Sequence, residues 1–252
     1  VSTVDALFKH KNSAIPDIEA LPESNLEERG RQRFCSALRR FAIQEMPEMV
    51  RKDFDERVAP AHKAKGELIR DAVAIEEVMK DEASYRFYST LRYNAQEMCF
   101  QSVQEPIERA LPGMIDVAKA AIQRNPAGGS LKLDPSLAIP DYVSQLDVHL
   151  TPGCFHSEWV EDDVAQGAVV SLGARVFSAS MSHRSWGGVA KVISRWLKHE
   201  RPDFAPVRIL DIGTSSAKNL VPYVEAFPGT EAHGIDVAAP LLRYGHAIAE
   251  HE

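Results

Sequence analysis

The stretch Val207-Arg208-Ile209-Leu210-Asp211-Ile212-Gly213-Thr214-Ser215-Ser216-Ala217 decides how the chain is read. Just before it, from Gly188 to His199, Val189, Val192, Ile193, Trp196 and Leu197 recur with the spacing of one helix face. At Val207 the period changes: apolar residues run together, several are β-branched, and the run stops at a glycine, as in a short buried strand. The next residues, SSAKNLVPYVEAF (215–227), return to a helical pattern. EAHGIDV (231–237) reads as a second strand, and APLLRYGHAIAEH (239–251) begins a second helix. Strand, helix, strand, helix predicts the opening of a parallel, doubly wound α/β sheet.

The strand ends carry the chemistry. Gly213 has no side chain to obstruct a ligand, and amides at the start of the following helix are expected to face it. Asp236 closes the second strand, where a carboxylate can accept both hydroxyls of a ribose. A dinucleotide fingerprint, G-x-G-x-x-G, would place glycines where Ser215 and Lys218 stand, so NAD(P) is disfavoured. An acid ending the first strand suits a cationic ligand.

On these residues the chain resembles the class I S-adenosylmethionine-dependent methyltransferases. RILDIGTSSAKN resembles the family's first motif, D/E-x-G-x-G-x-G, with Ser215 and Ala217 at its later glycine positions; HGIDVAAPLL resembles the second. The likeness spans about Arg195 to Glu252, a minor part of the chain. It implies that Asp211 and Gly213 lie by the methionine moiety, that Thr214 and Ser215 supply loop contacts, that Asp236 binds the ribose and that Val237 packs on the adenine. It also implies a sheet of about seven strands. The chain ends inside the second crossover helix, so the expectation is either a piece of a longer enzyme or a protein that lost its chemistry, with little methyl transfer of its own.

Upstream, the sequence is helical. Ser24 and Glu27 are spaced as a capping box, followed by Phe34, Ala37, Leu38 and Phe41 on one predicted core face. Pro47 should end or kink that helix. Leu68, Ala72, Ile75 and Met79 mark a second helix, and Tyr88, Leu91, Ala95 and Met98 a third. Pro106 suits the first turn of a fourth, which Pro112-Gly113 is expected to interrupt. Asn125 to Pro140 carries Asn-Pro, Gly-Gly and two further prolines, the composition of a linker. The fold expected is therefore α/β: an all-helical N-terminal domain over 1–125, a linker over 126–140, and a partial Rossmann-like, S-adenosylmethionine-binding domain over 141–252.

Length and composition set the frame. With 252 residues, 44% hydrophobic and 26% charged, the chain is an ordinary globular sequence able to bury a core. A net charge of −7 argues against a generic nucleic-acid partner, and no apolar run of bilayer length stands in it. Cys35, Cys99 and Cys154 are odd in number and far apart, which fits free thiols and a cytoplasmic address.

Other residues invite a functional reading beside a bland one. Asp147, His149, His156 and Glu158 flank Pro152-Gly153; if the segment were a strand, each pair would point one way. With no third pair of defined spacing no metal is expected, and turn capping explains the residues equally well. His149 is the candidate general base. His183, Arg184 and Trp186 could reach the cofactor carboxylate or simply cap a helix. Arg29, Arg31, Arg33, Arg39 and Arg40 share their surroundings with glutamates and read as a solvated, salt-laced face. Tyr85, Phe87, Tyr88 and Tyr93 read as core aromatics, or as the wall of an apolar acceptor pocket. Together these residues predict methyl transfer from S-adenosyl-L-methionine to a small-molecule acceptor, with the helices as a lid or a homodimer contact. The alternative is a non-catalytic helical interaction module carrying a vestigial methyltransferase domain.

Overall fold

A computed structural model describes residues 2–6, 15–124, 129–178 and 188–251. The cluster of His183, Arg184 and Trp186 lies outside the described residues. In chain order the elements are β1 (Ser2–Ala6), α1 (Leu26–Gln44), α2 (Met46–Asp53), a π-helical turn (Phe54–Val58), α3 (Ala59–Ala64), α4 (Ala72–Met79), α5 (Ala83–Gln101), α6 (Gln104–Gln123), β2 (Ser130–Lys132), α7 (Asp141–Ser144), α8 (Ala165–Phe177), α9 (Gly188–Glu200), β3 (Arg208–Ile212), α10 (Leu220–Ala226), β4 (Glu231–Asp236) and α11 (Ala239–His251); a 3-10 turn, Ile18–Ala20, precedes α1. The protein is mixed α/β and mostly helical.

The strands form one sheet in the order β2-β1-β4-β3. β3 and β4 are parallel, paired from Arg208↔Glu231 to Ile212↔Ile235. β1 lies antiparallel to β4, Ser2 opposite Asp236, and β2 is antiparallel to β1. Two expectations need correcting here. The sheet is mixed rather than parallel, and the N-terminal segment is not all-helical, because β1 takes the free edge of β4. The expected linker over 126–140 contains β2, whose pairing to β1 extends that sheet. A shared apolar core also crosses it: Cys35, Cys99, Ile107 and Met114 pack in one cluster with Val169, Tyr244 and Ile248.

The core-facing side of α1 differs from the expected stripe. Its capping box is Asn25 with Glu28, one residue later than predicted: Glu28 N–H donates to Asn25 Oδ1 at 2.9 Å and Asn25 N–H to Glu28 Oε2 at 2.8 Å. Buried Glu28 also takes both guanidinium arms of Arg109 on α6, at 2.8 and 2.9 Å. Gln32 donates to Ser24 and to the Ser102 carbonyl, and Arg39 is buried with its guanidinium 3.9 Å from the Phe177 ring centre. These polar anchors fix the roll of the helix, so Phe34 and Ile43 face outward. Arg39 thus leaves the expected solvated arginine face. Pro112 does not interrupt α6, which runs unbroken. Pro112 and Gly113 sit on its exposed side, where a freed carbonyl is accessible to water, while Leu111, Met114, Val117 and Ala118 stay buried.

At the other edge, among the described residues β3 pairs only with β4 and is not the buried strand its composition suggests. Leu210 is 56% exposed and Ile212 76%. Val189, Val192 and Trp196 of α9, expected on a core face, are exposed as well. Among the described residues no helix is long and apolar enough to cross a membrane.

Candidate functional site

Because Ile212 pairs with Ile235, β3 and β4 end level, and Asp211, Gly213 and Asp236 come to the same edge. The chain turns there through a loop pinned to β4: Gly213 and Thr214 both donate their N–H groups to the Ile235 carbonyl, at 2.9 and 3.0 Å. Left-handed backbone then recurs at alternate residues, with φ of 74° at Gly213, 54° at Ser215 and 57° at Ala217. For an L side chain this conformation costs roughly 1–2 kcal/mol, so Ser215 and Ala217 must be held in it. Thr214 Oγ1 donates to Asp211 Oδ2 at 2.9 Å, Ser215 N–H to Asp236 Oδ2 at 2.8 Å, and Ala217 N–H to the Thr214 carbonyl at 2.9 Å.

The loop is also clasped from two sides. A Cβ at Gly234 would fall 2.7 Å from the Thr214 side chain, and one at Gly245 would fall 2.7 Å from the Ser216 backbone, so β4 and α11 approach as closely as they do only because both residues are glycine. Among the described residues, nothing lies within 4 Å of a Cβ placed at Gly213. That side of the loop faces open space, as a site for a ligand requires.

Asp236 carries the most structural work. Its Oδ2 accepts from Ser215 and its Oδ1 from Ala238 N–H at 2.9 Å, which ties the loop to the start of α11. A carboxylate offers about four lone-pair sites, so each oxygen retains capacity for one further donor. Val237, beside it, is 37% exposed. One expectation fails: the loop amides do not face outward from a helix terminus. α10 starts only at Leu220, and the N–H groups of residues 213–215 are used inside the fold.

The residues around Pro152-Gly153 do not assemble. The segment is a run of turns rather than a strand, with φ of 56° at Leu150, 87° at Gly153 and 69° at Phe155. Asp147 accepts from Thr151 N–H at 3.0 Å as a turn cap, and Glu158 pairs with Arg243. His149 is exposed, edge-on to Phe155 at 5.1 Å between ring centres, and its carbonyl accepts from Gln96. Its contacts are with α5 and its own loop, whereas Asp211 and Asp236 contact residues 214–238. Among the described residues no three of His, Cys, Asp or Glu converge as a metal would need.

Sequence reasoning missed the group beneath the loop. Lys218 is buried, donates to Ser171 Oγ at 2.8 Å and pairs with Glu19, which Arg175 also reaches at 3.2 Å. Burial pushes the Lys218 amine down to about 7 against the pull of Glu19. A lysine among the small residues of a tight turn was the available signal; its partners from the N-terminal segment and α8 had none. Compared with known proteins, the chain matches no family model, no curated protein and no solved structure.

Proposed function

We propose that this chain binds S-adenosyl-L-methionine at the level ends of β3 and β4, for methyl transfer to a small-molecule acceptor. The observation that carries the reading is the backbone of the loop. Gly213, Ser215 and Ala217 take the left-handed conformation at the three positions where the resembling motif has glycine, and Asp236 stands at the end of the adjacent parallel strand. Two non-glycine residues kept in that conformation mark a turn whose path is specified rather than incidental.

When bound, the cofactor would supply an electrophilic methyl group on a sulfonium. The chain's own part is to bind and orient it. Asp211, its carboxylate steadied by Thr214, offers negative charge to the cationic end. Asp236 has lone pairs left for two ribose hydroxyls, the open side of Gly213 admits the ligand to the backbone, and Val237 gives an apolar surface for the adenine. Rate enhancement would then rest on holding donor and acceptor in line. No base is assigned. The net charge of −7 favours a small acceptor over nucleic acid.

The internal use of the loop N–H groups favours a second reading, a non-catalytic helical interaction module in which the turn only joins strand to helix. Calorimetric titration with S-adenosylhomocysteine and with NADH separates the two. We expect binding of the first alone, and its loss in Gly213→Val, which fills the open side at a φ of 74°. NADH binding without a response to S-adenosylhomocysteine, or affinity untouched by Gly213→Val, would overturn the proposal.

A further inference from the structure

A groove of about 550 Å³ lies between α2, α4 and α5, a volume within the range of small-ligand sites. Its walls are two helical stripes: Val50 and Phe54 on one side, Ile75 and Met79 on the other, each pair at helical spacing. The Ile75–Met79 stripe has the sequence of a core face; Met79 is buried while Ile75 is exposed, and both line the groove. Tyr85 and Tyr88 from α5 complete the lining, edge-on to one another at 6.3 Å between ring centres. The wall containing Phe54 begins the π-helical turn Phe54–Val58, a rare distortion that recurs at functional positions.

The charges on the lining are unbalanced. Asp55 and Glu76 contribute −2 and Arg51 contributes +1, a net −1 at neutral pH. Among the described residues neither carboxylate is in an ion pair, whereas the neighbouring acids Asp53 and Glu56 are paired with Arg57 and Lys52. The Tyr85 ring adds negative potential that attracts cations, while Tyr88 already has the Arg92 guanidinium 5.8 Å from its ring centre. An apolar cleft with aromatic walls and spare acids selects a ligand with a hydrophobic body and a positive head.

We infer that this groove is a binding site for a lipophilic amine, a single small molecule whose apolar part lies between α2 and α4 and whose ammonium meets Asp55 and Glu76. The inference is independent of the methyl-transfer reading, since its residues all belong to α2, the π turn, α4 and α5. Decylamine, decanol and decanoate share a chain length and differ in charge, so they are the probes. Titrated below their micellar concentrations, they should bind in the order amine, alcohol, acid, with the amine at least tenfold tighter than the acid. Ala72→Trp, at an exposed lining position, should abolish amine binding while leaving the circular dichroism unchanged. Asp55→Asn with Glu76→Gln should bring amine and acid within about threefold. Should the tryptophan variant misfold, the Met79 methyl resonance of the unaltered chain gives a second readout and must shift on adding decylamine. Equal affinity for acid and amine, binding that survives a folded Ala72→Trp, or a static Met79 signal at saturating amine would overturn the inference.

Discussion

Replacing Asp236 by alanine tests fold and function at once, because its carboxylate does two jobs in the structure. It accepts the Ser215 and Ala238 N–H groups at 2.8 and 2.9 Å, and removing it strands both donors. Hydrogen bonds to a charged acceptor contribute roughly 1.5–3 kcal/mol each. The site is half-buried, so water can replace part of this, and a combined loss of about 2–3 kcal/mol is expected. For a domain of this size that lowers Tm by roughly 5–10 °C. Asp236→Asn keeps one acceptor oxygen and should lose about half as much. If the remaining lone pairs serve a ribose, affinity for S-adenosylhomocysteine should fall tenfold to a few hundredfold, at about 1.4 kcal/mol per decade. Differential scanning calorimetry gives the first quantity and titration calorimetry the second. A Tm within about 1 °C of the parent would refute the structural tie, and an affinity change below about threefold would refute the ribose contact.

Three further outcomes follow from the same geometry. Gly245→Ala should destabilise by about 1–3 kcal/mol in urea titrations despite the better helix propensity of alanine, since its Cβ would press on the Ser216 backbone; a stabilised variant would contradict the close approach. Lys218, held near 7 in the fold against 10.5 when solvated, binds fewer protons folded than unfolded between those values, so stability should rise from about pH 7 to pH 10; Lys218→Met should flatten that rise, and parallel curves would count against the buried amine. The open edge and bare apolar face of β3 should drive concentration-dependent association in sedimentation velocity, and Leu210→Lys with Ile212→Lys should suppress it; unchanged association would place the contact elsewhere.

What the sequence revealed was local. β3, β4 and α11 announce themselves within 45 residues through a change of period, the glycine that ends the first strand, and strand-ending acids. Asp211, Gly213 and Asp236 were legible because a strand end fixes its own neighbours. What stayed hidden depends on partners distant in the chain. Glu28 reads as a surface acid until Arg109 is brought to it across 81 residues. The roll of α1 follows from that pair and from Arg39 on Phe177, which outweigh the apolar stripe through Phe34. The segment around His149 is hidden for a similar reason: a face shared with Asp147 assumes a strand, and the positive φ angles at Leu150, Gly153, Cys154 and Phe155 turn the chain away from that geometry.

The placement of β1 bears on the order in which the sheet assembles. β3 finds β4 across 23 residues, Arg208 to Glu231, whereas Ser2 meets Asp236 across 234. A tenfold longer loop adds about 2 kcal/mol of closure entropy, so the near pair forms first and β1 zips on afterwards. During synthesis the same strand leaves the ribosome long before β4 exists. At a chain growth of roughly 5–20 residues per second, β2, its other neighbour, follows after on the order of five to twenty-five seconds and β4 only after ten to fifty, so the β4-facing edge of β1 waits longest. For that interval the β4-facing edge of β1 is available to any exposed strand edge nearby.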